Sequence, residues 1–316
     1  MELLGQEILS AWRSHIVEFG DRALSASCSI GMANVGRLAT DPTEIVAQAR
    51  KAQTEAAEQG DRLLLYRPQL TAVASIEGEQ DWIERIKFAL SNQDFYTVQQ
   101  SIVDLDGEGE QLCENTTVLR GEEGDHLTSD FQLAAERSDL AGTIDRHIIP
   151  GLLKTFADTD ERQIINVSSN SILDYGFPGW FANQMSAACV DGNKVILQIA
   201  AQAAHTNLRP AQRLMKELKP LGCLLSVSMF DDERRSLQLL DHLDLSFVKL
   251  QPALTKDLTA SSNNQELIRK IVEAAEANGV SVIADEVADT SSLAVLWQCG
   301  VKLITGAFLK ESSQVL

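Results

Sequence analysis

Phe247-Val-Lys-Leu-Gln251 decides the fold: a short β-prone run that sets a lysine among apolar neighbours and ends on an amide. Runs of the same kind recur near βαβ spacing on both sides of it. Upstream lie Ile164-Ile-Asn-Val-Ser-Ser169, Ile196-Leu-Gln-Ile-Ala200 and Leu225-Ser-Val-Ser-Met-Phe230; downstream lies Val282-Ile-Ala-Asp-Glu-Val287. From Phe95 onward strands and helices alternate, which predicts a parallel sheet with helices outside. Roughly six or seven such units favour a closed (β/α) barrel over an open sheet. In that architecture chemistry sits where strands end. Asn166, Gln198, Ser228, Lys249, Asp285 and Thr305 all fall at such ends.

Composition narrows the partners. The 316 residues carry a formal net charge of -18, and 44% are hydrophobic, enough for a real core. So acidic a surface repels nucleic-acid backbones and anionic lipids, so neither nucleic acid nor a membrane surface is an expected partner. The apolar runs are too short to span a bilayer. Cys28, Cys113, Cys189, Cys223 and Cys299 are widely spaced without a CxxC pair, which points to a reducing cytoplasm and no zinc site. The five histidines show no metal spacing either.

Residues 1 to 19 carry Leu4, Ile8, Leu9, Trp12 and Ile16 at a helical period, with no secretory signal. Ala23 to Val35 reads as a strand. Asp41-Pro-Thr-Glu44 opens a helix that runs to Gly60, with Asp as cap and Pro in the first turn. Leu63 to Tyr66 is a short strand, 67–80 reads as a linker, and Asp81 to Leu90 as an amphipathic helix. Ser27-Cys-Ser-Ile-Gly31 and Gln59-Gly-Asp-Arg62 resemble the C-terminal part of a GGDEF domain. The signature turn that holds metal and triphosphate is absent, so 1–66 is expected to be a degenerate piece without cyclase activity. A partial sheet exposes strand edges, to be covered by a neighbouring domain or by another chain, as in a homodimer.

Residues 81–316 resemble the EAL domain, the barrel that hydrolyses cyclic di-GMP with a carboxylate cage around two metal ions. The resemblance implies an α/β fold: an EAL-type (β/α)8, TIM-like barrel preceded by the partial α+β segment. Gln100 matches a guanine-contacting glutamine, Glu114 the first metal ligand, Asn166 a second ligand, Lys249 the lysine of the fifth strand, and Asp285 a shortened acid. The departures are as telling. Thr116 and Val118 replace a leucine and a phosphate-gripping arginine, with Arg120 two residues late. Gln198 replaces a glutamate. Ser228 and Met229 stand where paired aspartates belong, Asp231-Asp232 falls three residues late in a loop, and Thr305 replaces the glutamine before Gly306. Neutral Gln and Ser bind hard cations weakly.

The resulting expectation is a pseudoenzyme with no catalytic residues, no metal and no cofactor. Gln100, Glu114, Asn166, Lys249 and Asp285 are its candidate contacts to cyclic di-GMP. Phe131-Gln-Leu-Ala-Ala135, Ile144-Asp-Arg146 and Ser291 to Gly306 further resemble non-enzymatic EAL domains of type IV pilus regulation, which implies a protein partner and a motility or biofilm role. Two alternatives stand. Thr116 and Val118 favour an interaction module without nucleotide binding. An active phosphodiesterase would need Asp231 and Asp232 to reach the metal site by a register shift. Lys249 could also be a strand-end lysine reaching solvent, and Asn166 could simply close a turn.

Overall fold

The computed structural model describes residues 74–107, 111–121, 124–232, 234–287, 289–306 and 313–314. Of the first 73 it describes 8–9, 16–19, 22–25, 28–32, 46, 49–50, 52–54, 56 and 63–65. The chain divides into two units, Met1–Gly78 and Glu79–Leu316.

In the first unit, β1 (Ile16–Phe19) and β2 (Arg22–Ser25) form an antiparallel hairpin. The helical period read through Ile16 is thus overridden there by a β-branched run that finds a partner strand. β3 (Ile30–Met32) and β4 (Leu63–Leu65) pair in parallel, Ile30 opposite Leu63. A Cβ on Gly31 would lie 2.2 Å from the Ala49 carbonyl oxygen, so only glycine permits the helical backbone at Ala49 and Gln53 to pack this closely on β3. The Gln59 to Arg62 match and Tyr66 lie outside the described residues. The helix Ala74–Asn92 begins inside the stretch read as linker, because the Glu-Gly-Glu run forms part of a helix rather than a turn.

In the second unit the strands are β5 (Phe95–Asp104), β6 (Leu112–Leu119), β7 (His126–Leu127), β8 (Arg162–Asn166) and β9 (Val195–Ala200), then β10 (Leu224–Phe230), β11 (Phe247–Leu250), β12 (Ser281–Ala284), β13 (Leu303–Ile304) and β14 (Ser313–Gln314). The order β5-β13-β12-β11-β10-β9-β8-β6 closes on itself through a β5–β6 ladder, giving an eight-stranded barrel. Among the eight barrel strands one departs from the expected parallel sheet. β5 runs antiparallel to both β6 and β13, because β5 and β6 are joined by a short hairpin and no crossover helix intervenes. β14 adds to β5 on the side of β13, with Ser313 opposite Gln99.

The helices around the barrel form for local reasons. Ala141–Phe156 buries Ile144, Ile148, Ile149, Leu152 and Phe156, an apolar stripe at helical spacing. Ser262–Ala277 starts on Ser261, whose side chain accepts from the Asn264 N–H. Thr290–Gln298 starts on Asp289, held below its usual carboxylate range by the Ser292 backbone N–H first and then by the Ser292 hydroxyl. Among the described residues no helix is long and apolar enough to cross a membrane.

Candidate functional site

Alternation along the strands builds the lumen in two layers. The lower layer is apolar: Ile102, Leu112, Ile164, Ile196, Phe247 and Ile283 form one buried cluster. Two residues further along five of these strands the inward positions turn polar, giving Glu114, Asn166, Gln198, Lys249 and Asp285. Glu114, Gln198 and Lys249 are almost fully buried.

These side chains satisfy one another. The Lys249 ammonium reaches Glu114 Oε2 at 2.5 Å and Asp285 Oδ2 at 2.7 Å. Gln198 Nε2 donates to Glu114 Oε1 at 2.7 Å and to Asn166 Oδ1 at 2.8 Å. Asn166 Nδ2 donates to the Asn115 carbonyl at 3.3 Å and weakly to Glu114 at 3.4 Å. Ser226 Oγ closes the chain by donating to Gln198 Oε1 at 3.0 Å. Burial is the largest single influence on Lys249 and pulls its pKa down. Glu114 and Asp285 together outweigh it and leave the ammonium above its ordinary value, so it is charged at neutral pH.

Above this layer opens a cavity of about 260 Å³, near the lower end of small-molecule sites. It is lined by Glu114, Asn166, Gln198, Lys249 and Asp285 and by Thr116, Ser228 and Met229. Part of its wall is an apolar pouch formed by Phe131, Ala135, Ala141, Ile144 and Val167. Met229 has φ 55 where the β10–β11 register shifts, a left-handed strain that turns the strand end at the cavity rim.

The pouch contains a carboxylate that reading strand ends did not find. Asp145 lies on the helix Ala141–Phe156 and lines the cavity. Its Oδ2 accepts from the Ser168 N–H at 2.9 Å, the Ser168 hydroxyl at 2.6 Å and the Ser171 hydroxyl at 2.7 Å. Burial nonetheless pushes its pKa above the ordinary value. The available signal was Ile144-Asp-Arg146, a charge beside the apolar stripe of a packed helix.

Other sequence candidates fall elsewhere. Gln100 pairs with Glu114 in the β5–β6 ladder and shares its face, but does not line the cavity. Arg120 lies over the Tyr96 ring, 5.3 Å from its centroid, and Val118 is buried, so neither supplies a phosphate-gripping arginine. Asp231 accepts from Ser236 Oγ at 2.5 Å, and neither it nor Asp232 lines the cavity. Thr305 is fully buried. A Cβ on Gly306 would lie 2.3 Å from the Val287 carbonyl oxygen, which explains glycine there.

A pair of divalent cations fits this donor set poorly. Both carboxylates of the layer already face the Lys249 ammonium, and the Gln198 and Asn166 amides present N–H groups to Glu114 rather than oxygen. Among the described residues no group of three or more His, Cys, Asp or Glu side chains is placed to hold a metal ion.

The EAL domain family model matches residues 83–312. Among solved structures, the FimX EAL domain from Pseudomonas aeruginosa bound to c-di-GMP superposes with a TM-score of 0.69 at 27% identity, covering 74% of this chain and 96% of that one. Vibrio cholerae LapD S helix-GGDEF-EAL (apo) superposes with a TM-score of 0.66 at 15% identity over 85% of this chain and 66% of that one, a likeness of fold alone. Among curated proteins, the cyclic di-GMP phosphodiesterase PdeF of Escherichia coli (strain K12) is 21% identical over 240 residues, 74% of this chain. The chain spans 32% of PdeF and 48% of the Mycobacterium tuberculosis protein Rv1354c.

Proposed function

The chain belongs to the EAL domain family, and on that premise we propose that it is a metal-free receptor for cyclic di-GMP rather than a phosphodiesterase. The observation that carries this reading is the Glu114 carboxylate, whose oxygens are taken by Lys249 and Gln198 where metal ions would have to stand. Without metals the in-line activation of a water is lost, and Lys249, already paired with two carboxylates, is the one positive charge left to the phosphodiester among the described lining residues. The pouch supports recognition of a base. Phe131, Ile144 and Val167 offer apolar walls, and the free Oδ1 of Asp145 is an acceptor for the N–H groups on the Watson–Crick edge of guanine. Asn166 and Lys249 line the same cavity and are the candidate contacts to phosphate in this reading.

The degenerate GGDEF reading of residues 1–66 belongs to the same proposal, supported by the parallel β3–β4 pair and the glycine-dependent helix contact. So do a cytoplasmic location, a protein partner and a role in pilus, motility or biofilm control.

The test is calorimetric titration of cyclic di-GMP into the purified chain with EDTA and then with magnesium, beside an assay for the linear dinucleotide. Binding in EDTA without turnover supports the receptor. Magnesium-dependent turnover that Asp231→Ala removes would overturn it. No heat from a folded protein would favour the interaction module, a reading supported by the absence of an arginine among the cavity-lining residues.

A further inference from the structure

Lys249 is the one cationic side chain among the described residues lining the cavity, and it faces two carboxylates of the same layer. The layer therefore carries a net negative charge toward a ligand whose two phosphodiesters are themselves anionic. An ammonium has three N–H groups, and two of them are engaged, one by Glu114 and one by Asp285. The two acceptors are not equivalent. Glu114 also receives Gln198 and Asn166, and its side chain is 7% exposed. Asp285 Oδ2 receives Lys249, its Oδ1 receives the N–H of the adjacent Glu286, and its side chain is 19% exposed.

We propose that Asp285 is an internal competitor for the ligand: it occupies the cavity's single ammonium, so neutralising it tightens the binding of an anionic dinucleotide. This rests on the receptor reading and assigns Asp285 a role opposite to a direct contact. When a phosphate enters, it takes the third N–H of Lys249 or displaces Asp285, while Glu114 keeps Lys249 paired and the barrel intact. Removing one unit charge this close to the ligand should raise affinity on the order of tenfold.

The experiment titrates cyclic di-GMP, in EDTA, into the wild type, Asp285→Asn, Asp285→Ala and Asp285→Glu, each checked by thermal melting. Tightening of about tenfold in the Asn variant, and none in the charge-preserving Glu variant, is the expected result. The Ala variant carries the test if the Asn variant fails to fold. Unchanged or weaker binding in the neutral variants, with a wild type that binds, overturns the inference and leaves the receptor reading standing. Binding by neutral variants alone supports the inference and makes the wild type a locked receptor. No binding by any folded form overturns both.

Discussion

The two layers of the lumen come from the same strands, two residues apart, yet are built on opposite principles. Ile164, Ile196 and Ile283 fill the lower layer by shape alone, and each could be exchanged for another apolar group of similar volume. Asn166, Gln198 and Asp285 above them hold one geometry because every donor there needs its acceptor. The lower layer supports the barrel. The upper layer specifies it, and is the part available to a ligand.

Substitutions can break that contrast. Lys249→Met leaves Glu114 and Asp285 unpaired and should cost about 3–5 kcal/mol of unfolding free energy, read by urea denaturation. Adding Glu114→Gln and Asp285→Asn to it should recover most of that loss while cyclic di-GMP binding stays absent. If recovery fails, the upper layer contributes more than charge pairing. Ile196→Ala in the lower layer should cost about 2–4 kcal/mol and leave ligand affinity unchanged in the fraction that is folded. Gly306→Ala, which drives a Cβ against the Val287 carbonyl, should cost about 1–3 kcal/mol and disturb the loop carrying Asp285.

The smallest effect is one of pH. The pKa of Lys249 is raised in the fold, so its pairing stabilises fully below the ordinary lysine value of 10.5 and is lost as pH rises through the folded value. The wild-type urea midpoint should therefore fall above that pH, and the Lys249→Met midpoint should lack this component.

Much of this was legible in the sequence, because strands that end in polar residues announce a barrel mouth. Lys249, Asn166 and Asp285 were found that way, and Glu114 by its register. What escaped has physical causes. Gln198 reads as a lost acid, but whether its amide is a gap or a donor depends on a glutamate two strands away in the barrel. Asp145 sits on a helix, where an acid beside an apolar stripe looks like a solvated neighbour. The direction of β5 is set by a hairpin whose shortness is visible, but which alternating strands and helices disguise. Gln100, expected as a nucleotide contact, is paired across the ladder with Glu114 but is not among the residues lining the cavity.

The ladder between β5 and the late strands also dictates when the molecule can form. Asp104 is paired with Leu303 and Gln99 with Ser313, so the earliest barrel strand completes its pairing only after roughly two hundred further residues have been made. Until then β5 and β12 present open edges, the templates on which nascent chains associate. Such long sequence separation slows folding and lengthens the time for which those edges stay open.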